Sequence, residues 1–160
     1  MEAFFAWLSN TGLATAVREN EMLFPWTESL HVLALTIVVG SIAIVDLRLL
    51  GIASCKRPIS KLMKDVLPIT RVAFIGALVT GLVMFISQAS TYAGNFFFQI
   101  KMLMLVLVGI NVLVFHGMTV RSMAQWDTAE KVPTPVRVAG ATSLLLWTCV
   151  IVFGRWIGFT

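Results

Sequence analysis

Four long apolar runs dominate the chain, and short polar segments separate them. A helix needs about 20 apolar residues to cross the hydrocarbon core of a bilayer, and each run approaches or exceeds that length. The pattern therefore predicts membrane-spanning helices over about residues 26–50, 72–88, 96–118 and 136–159.

The connections between these runs are short enough to keep consecutive helices side by side. Pro25 stands at a favoured start position for the first helix. Short connections favour an up-down-up-down arrangement of neighbouring helices. We therefore expect an all-α, integral membrane four-helix bundle that forms a single domain over residues 1–160. Small residues in the second run, at Gly76, Ala77, Thr80 and Gly81, predict close helix packing there.

The first 22 residues carry a shorter apolar stretch that does not continue into a span. Ser9, Asn10 and Gly12 interrupt it, and the acidic Glu2 is unlike the basic start of a signal peptide. We expect residues 1–22 to form an interfacial helical segment whose aromatic side chains dip into the headgroups.

Composition strengthens the membrane interpretation. Hydrophobic residues make up 58% of the 160 residues and charged residues only 12%, with a mean hydropathy of +0.90. Soluble domains carry about 25% charged residues. The net charge is +4, but the basic residues flank apolar runs, so we expect a lipid bilayer and no nucleic acid as partner. Cys55 and Cys149 show no spacing typical of a metal site or disulfide framework.

The basic residues also predict an orientation. Most of them lie in the two segments between spans one and two and between spans three and four, or at the adjoining helix ends. They are Arg48, Lys56, Arg57, Lys61, Lys64, Arg71, Arg121, Lys131 and Arg137. By the positive-inside rule these segments face the cytoplasm and both termini face the opposite side.

Ionisable residues within the spans are costly in lipid and are therefore candidate functional residues. Counting residues along each helix sorts them into two layers. The outer layer, near the termini, contains Glu28, His31, Lys101 and Arg155, with Met84 nearby. The inner layer contains Asp46, Arg48, Arg71, Asn111 and His116.

His31 and His116 are the candidate haem or metal ligands. They differ in depth by roughly 20 Å at 1.5 Å per residue, so one iron cannot join both within a chain. Two arrangements remain. In the first, His31 binds a b-type haem with Met84 or His31 of the partner subunit as the sixth ligand, and Lys101 and Arg155 neutralise the propionates. In the second, His116 anchors another haem by pairing across a dimer.

Structural roles compete with these interpretations. Lys101 and Arg155 lie near the interface, where long basic side chains snorkel towards water. Glu28 and His31 can form a helix-start pair, and His116 stands near a helix end that favours a cation. Asp46 with Arg48 or Arg71 is expected to form a structural ion pair.

Two segments of the sequence resemble a known family. "WTESLHVLALTIVVGSIAIVDLRLLG" and "KMLMLVLVGINVLVFH" are similar to segments of a family of small bacterial inner-membrane proteins with four helices. The resemblance supports Glu28, His31, Asp46, Arg48, Lys101, Asn111 and His116 as candidate positions, implies a bacterial inner membrane and supplies no activity. In such a membrane, the orientation predicted from the basic residues places both termini on the periplasmic side. A remoter similarity is to cytochrome b561-type and copper-resistance-D-type bundles, which implies haem-mediated electron transfer and copper handling respectively. This chain has two histidines, fewer than the four of the cytochrome pattern.

Together these features predict a b-type haem protein of the inner membrane that exchanges electrons with a quinone or a periplasmic partner. The alternatives are a copper-handling or permeation protein, with His31, Glu28 and Met84 as a transient copper site, and a non-catalytic accessory subunit. We expect a homo-oligomer or a subunit of a membrane complex. The sequence shows no nucleophile–base pair and no phosphate-binding loop, so no hydrolase or kinase activity is predicted.

Overall fold

The computed structural model describes residues 2–119, 123–127 and 132–159, and all regular structure in these ranges is helical. The helices are α1 (Glu2–Ser9), α2 (Gly12–Glu19), α3 (Leu23–Leu49), α4 (Ile59–Ser87), α5 (Ala89–Gly94), α6 (Phe96–Thr119), α7 (Met123–Trp126) and α8 (Thr134–Trp156), followed by a 3-10 helix (Ile157–Phe159). Arg121 and Lys131, which contribute to the predicted orientation, lie outside the described residues.

Four of these helices are long and apolar enough to cross a membrane, which confirms the predicted fold class. They are Leu23–Leu49, Ile59–Ser87, Phe96–Gly117 and Thr134–Phe159. Few of their residues are buried within the protein, and large apolar side chains such as Val72, Leu113 and Leu145 are exposed. Because such a surface is unfavourable in water, the exposed faces of the bundle are suited to lipid.

The second long helix begins at Ile59, well before the predicted start near residue 72. Lys61, Lys64 and Asp65 lower the hydropathy of this first part, which hides it from a search for apolar runs. Its apolar residues still recur at helical spacing, with Leu62 and Met63 buried while the charged residues are exposed. The first third of α4 is thus an amphipathic helix that continues into an apolar one.

The long helices pack in antiparallel pairs. α3 lies against α4, where the Thr70 hydroxyl donates a hydrogen bond to Ser41 Oγ at 2.8 Å. α3 also packs on α8, and α8 packs extensively on α6. α4 and α6 make few direct contacts within the described residues, so the helices follow the order α4, α3, α8, α6 around the bundle. All four meet in one central apolar cluster, formed by Val38, Ala73, Val108, Trp147 and Val150.

A second apolar cluster closes the end of the bundle where α3 ends and α4 begins. Its buried members are Leu49, Ile59, Met63, Phe115, Trp126, Val132 and Val136. Trp126 of α7 reaches into this cluster, and the next residue, Asp127, holds the start of α4. The Asp127 carboxylate accepts hydrogen bonds from the Ser60 backbone N–H at 2.7 Å and the Ser60 hydroxyl at 2.5 Å. We call this the inner end of the bundle.

The opposite end carries α1 and α2, as the predicted interfacial helical segment. Ala14 and Val17 of α2 are buried, and α2 packs against α4. The Phe5 ring of α1 meets the Phe85 ring edge-on at 6.2 Å. Phe4 and Trp7 remain exposed, which gives the segment an apolar outer surface next to the spans. We call this end, which also carries the C-terminal residues, the outer end.

Candidate functional site

His31 lies in the outer half of α3 and packs directly against α4. A Cβ atom at Gly81 would stand only 3.0 Å from His31 Cε1 and 3.5 Å from Nδ1, closer than packed side chains normally approach. The absence of a side chain at Gly81 therefore creates the space that the imidazole occupies. Three residues further along α3 the two helices stay close, since a Cβ at Gly76 of α4 would lie 3.9 Å from Ala34 Cβ.

The imidazole is oriented by Thr80. His31 Nδ1 lies 3.0 Å from Thr80 Oγ1, and this hydroxyl lies 2.7 Å from the Gly76 carbonyl oxygen. A threonine hydroxyl has one hydrogen, which the shorter contact assigns to the Gly76 carbonyl. Thr80 Oγ1 is then free to accept a hydrogen bond from His31 Nδ1–H. This assignment leaves the lone pair on Nε2, which has no side-chain partner in the described part of the chain, while the backbone of Ala77 is a further hydrogen-bond partner of the imidazole.

Lys101 approaches the same level of the bundle from α6. Its aliphatic stem lies along Gly154 of α8, where an added Cβ would stand 3.6 Å from Lys101 Cδ and Cε and 3.7 Å from Nζ. The side chain is half-buried. Gly81 thus makes room for His31, and Gly154 makes room for Lys101. Of the four ionisable residues predicted for the outer layer, these two are the half-buried ones.

Glu28 and Arg155 are both exposed rather than enclosed by the helices. The Arg155 guanidinium carbon lies 4.8 Å from the centre of the Phe159 ring, a cation–π contact at the outer end. Glu28 lies beside a shallow surface groove along α3. Burial raises the pKa of Tyr92 in α5, and the negative charge of Glu28 adds to that effect. Glu28 and Arg155 therefore belong to the periphery of the site.

Met84 lies one turn beyond Gly81 on α4, on the same side of that helix as the surface that meets His31. The residue is half-buried, and its backbone carbonyl accepts a hydrogen bond from the Ser87 hydroxyl at 2.7 Å. Beyond it, an open cleft of about 360 Å³ separates the outer ends of α4 and α6. The residues that line this cleft are Phe5, Phe85, Ala93, Phe98, Gln99 and Met102.

His116 lies far from this group, near the inner end of α6. It is exposed, and its Nδ1 lies 3.1 Å from the Val112 carbonyl of the preceding turn. Its ring meets the Phe115 ring edge-on. Nothing in the described residues brings His116 towards His31. Across those same residues, no group of three or more His, Cys, Asp or Glu side chains is arranged to hold a metal ion.

The inner polar layer is enclosed much more tightly. Asp46 is only 5% exposed and Arg48 only 1%. The Ser143 hydroxyl of α8 donates a hydrogen bond to the Asp46 carboxyl, and Arg48 Nε donates one to the Arg57 carbonyl at 3.0 Å. Asn111 Nδ2 donates to the Ala139 carbonyl at 3.1 Å, which ties α6 to α8 at the same level.

The ion pair expected between Asp46 and Arg48 or Arg71 does not form among the described residues. Asp46 Oδ2 and Arg48 Nη2 are both buried without any hydrogen-bond partner. Two residues apart on a helix, the side chains of Asp46 and Arg48 do not face each other. Arg71 is exposed on α4. Sequence position alone placed these charges at one depth but could not give the direction in which each side chain points.

Sequence reasoning also missed Thr80, Gly81 and Gly154 as parts of the site. Gly76, Ala77, Thr80 and Gly81 were recognised as a small-residue pattern, but the pattern predicts close packing of any kind. Only the contacts reveal that Thr80 orients an imidazole and that Gly81 accommodates it. Gly154, one residue before Arg155, has no distinguishing pattern in the sequence.

A family model, described as a family of unknown function (DUF6644), matches residues 4–160, and the chain belongs to this family. No curated protein and no solved structure matches the chain. The remoter similarity to cytochrome b561-type and copper-resistance-D-type bundles is thus without support from these comparisons.

Proposed function

We propose that this member of the DUF6644 family binds a b-type haem through His31 in the outer half of the bundle. The haem would exchange electrons with a quinone or a periplasmic partner at the outer face of a bacterial inner membrane. One observation carries the proposal. His31 Nδ1 lies 3.0 Å from Thr80 Oγ1, whose own hydrogen the shorter contact assigns to the Gly76 carbonyl, so an Nδ1–H donor would leave the Nε2 lone pair for a metal. Metal-binding histidines in proteins commonly donate their other ring N–H to a fixed acceptor in this way.

A haem would need only one or two protein ligands, and the described residues contain no group of three or more His, Cys, Asp or Glu for a closed metal site. His31 would hold the haem together with Met84 of α4 or with His31 of the partner subunit, since a His/Met pair and two histidines are both known haem ligand sets. Lys101 supplies a positive charge for a propionate at the same level, while Arg155 serves only at the exposed outer rim. The haem, when bound, supplies one-electron chemistry.

The outer cleft supports a route for the redox partner. Phe85 and Phe98, which stack on each other at 5.3 Å, form part of its wall, and Tyr92 stacks on Phe98 at 5.8 Å. Gln99 at its edge carries an amide that already donates to the Ala93 carbonyl at 3.0 Å. We propose a quinone headgroup or a periplasmic redox protein as the partner that reaches the site through this opening.

The proposed orientation follows from the basic residues of the inner end. Lys56, Arg57, Lys61 and Lys64 are exposed there, so the positive-inside rule directs this end to the cytoplasm. Both termini and the His31 site then face the periplasm. A homo-oligomer or a complex with another membrane subunit would supply the second axial ligand if Met84 does not.

Haem content of matched histidine variants tests the proposal. The wild type, His31→Ala and His116→Ala are purified from membranes with haem supplied during expression, and their Soret bands and pyridine haemochromes are compared. We expect haem in the wild type and in His116→Ala, and none in His31→Ala. Equal haem in both variants, or no haem in the wild type, would overturn the assignment.

Copper handling is the second candidate, because imidazole and thioether are both ligands for copper and His31 and Met84 stand on the facing surfaces of α3 and α4. Metal analysis of the same preparations separates the two. Copper bound in proportion to protein, lost in His31→Ala and Met84→Ala and without a Soret band, would favour it. An accessory subunit predicts a third outcome, in which His31→Ala weakens assembly with a partner and changes neither haem nor copper.

A further inference from the structure

We propose that Asp46 is a proton-binding site, in which the carboxyl group carries a proton at neutral pH and lies at the crossing of α3 and α8. This site is separate from the His31 site. The two residues are fifteen positions apart on α3, which places them about 22 Å from each other along the helix axis.

The surroundings of Asp46 disfavour its charged form. The residue is 5% exposed, and one carboxyl oxygen, Oδ2, is buried with no hydrogen-bond partner. Its hydrogen-bond donor is the Ser143 hydroxyl, a neutral group that is itself buried. An ionised carboxylate without a partner is among the most costly groups to bury, and it takes up a proton when neither a cation nor water compensates it.

No charge on the packed helices compensates Asp46. Among the described residues, no Lys, Arg or His forms an ion pair with it. On its own helix the nearest cation, Arg48, directs Nε to the Arg57 carbonyl instead. The charged residues of α8 and α4, which flank α3, are all exposed: Arg137, Arg155, Lys61, Lys64, Asp65 and Arg71. α6 contributes the neutral Asn111, which bonds to Ala139, and the exposed His116.

α3 and α8 approach each other closely at the level of Asp46. A Cβ atom at Gly140 of α8 would lie 3.1 Å from Leu49 Cβ and 3.3 Å from the Asp46 carbonyl oxygen, so α3 and α8 are in backbone contact at this level. Loss of the proton to water at the loop after α3 would leave a charge in this contact. We therefore expect proton release and separation of α3 from α8 to occur together.

Infrared spectroscopy in lipid bilayers tests the protonation state directly. At pH 7 the wild type should show a protonated-carboxyl C=O stretching band that shifts in deuterated water. Asp46→Asn should lose this band, while the matched control Asp65→Asn, at an exposed position of α4, should keep it. A wild type without the band, or a band that persists in Asp46→Asn, would overturn the proposal.

Ser143→Ala keeps the test informative if Asp46→Asn does not fold. This variant retains the carboxyl group and removes its hydrogen-bond donor, so the band should remain and move to higher frequency. Ser29→Ala, which removes a hydroxyl that bonds only to its own helix, should leave the band in place. An unmoved band in Ser143→Ala would contradict the assignment to Asp46. Neither infrared result depends on haem content. The infrared test can therefore contradict this proposal without contradicting the proposed haem site, and the haem test can do the reverse.

Discussion

The outer and inner polar layers contain the same kinds of residue but are built differently. In the outer layer, His31 and Lys101 are half-buried, and Glu28 and Arg155 are exposed. In the inner layer, Asp46 and Arg48 are almost completely buried, and the apolar cluster around Ile59, Phe115 and Trp126 closes the end of the bundle.

This difference separates two uses of polar groups in a membrane protein. Within the described residues, the outer layer leaves His31 Nε2 without a side-chain partner, which suits the bound group proposed for this site. The inner layer leaves polar atoms buried among packed helices, which suits a proton, a ligand small enough to need no cavity. Packing around a polar residue, more than its identity, therefore distinguishes the two layers.

Gly140→Leu should have the largest effect, because it overfills the tightest helix contact of the inner layer. An added side chain would meet Leu49 and the Asp46 backbone within 3.3 Å. Overpacking of this kind costs about 3 kcal/mol at the upper end of its usual range. The free energy of unfolding, measured by denaturant titration in mixed micelles, should fall by about that amount.

Gly109→Leu on α6 is the matched control, since a Cβ there meets nothing within 4 Å. It should change the free energy of unfolding by less than about 0.5 kcal/mol, as surface substitutions do. An equal loss of unfolding free energy in Gly140→Leu and Gly109→Leu would show that α3 and α8 pack no more tightly at Gly140 than α6 does at its exposed surface.

Arg48→Met should have the next largest effect. The substitution keeps most of the buried volume but removes the charged donor to the Arg57 carbonyl, and a hydrogen bond to a charged group contributes about 1.5–3 kcal/mol. Thermal unfolding of Arg48→Met is compared with that of Arg155→Met, whose guanidinium is exposed over Phe159. A larger loss of stability in Arg155→Met would reverse the contrast between the layers.

Thr80→Val should weaken the outer site without weakening the fold. Valine has nearly the shape of threonine but cannot accept the Nδ1 hydrogen of His31. Loss of such a partner usually lowers metal affinity about 10–100-fold. Haem titration of the apoprotein measures the change, with Thr148→Val as control because that hydroxyl bonds only within α8. Unchanged haem affinity in Thr80→Val would remove Thr80 from the site.

Substitution of Asp127, which lies at the edge of the inner layer, should have the smallest effect on stability. Hydrogen bonds from the Ser60 hydroxyl and backbone N–H hold the pKa of its carboxyl below the usual range. Because the pKa is lower in the folded protein, the stabilisation is complete above about pH 4, the value for an unfolded aspartate, and is lost as the pH falls through the folded value.

Melting temperatures between pH 7 and pH 2 measure this contribution. At pH 7 the wild type should melt at a slightly higher temperature than Asp127→Asn. The corresponding difference in the free energy of unfolding should be less than about 1 kcal/mol, because the pair is partly exposed, and it should vanish in acid. A difference that grows as the pH falls would contradict the assigned pKa shift.

The sequence contained enough to predict the helices and the depth of the polar residues, because apolar length and residue count are local properties. It could not predict which way a side chain points. The spans are apolar on nearly all sides, so nothing in their periodicity distinguishes the half-buried Lys101 from the exposed Arg155. The start of α4 at Ile59 was hidden because Lys61 and Lys64 lower the local hydropathy.

The contacts that define the site join helices far apart in sequence. Thr80 lies 49 residues from His31, and Gly154 comes from a helix that the sequence does not link to Lys101. A packing motif such as Gly76–Thr80 is compatible with many partner helices, so the partner becomes known only when the helices are assembled. The burial of Asp46 is missed for the same reason.

The ratio of haem to protein in three preparations tests the contrast between the layers most directly. The wild type, His31→Ala and Asp46→Asn are purified in parallel, and haem is quantified as the pyridine haemochrome. We expect haem in the wild type and in Asp46→Asn, and loss of haem in His31→Ala alone. Haem that is absent from the wild type, or that survives in His31→Ala, would contradict it.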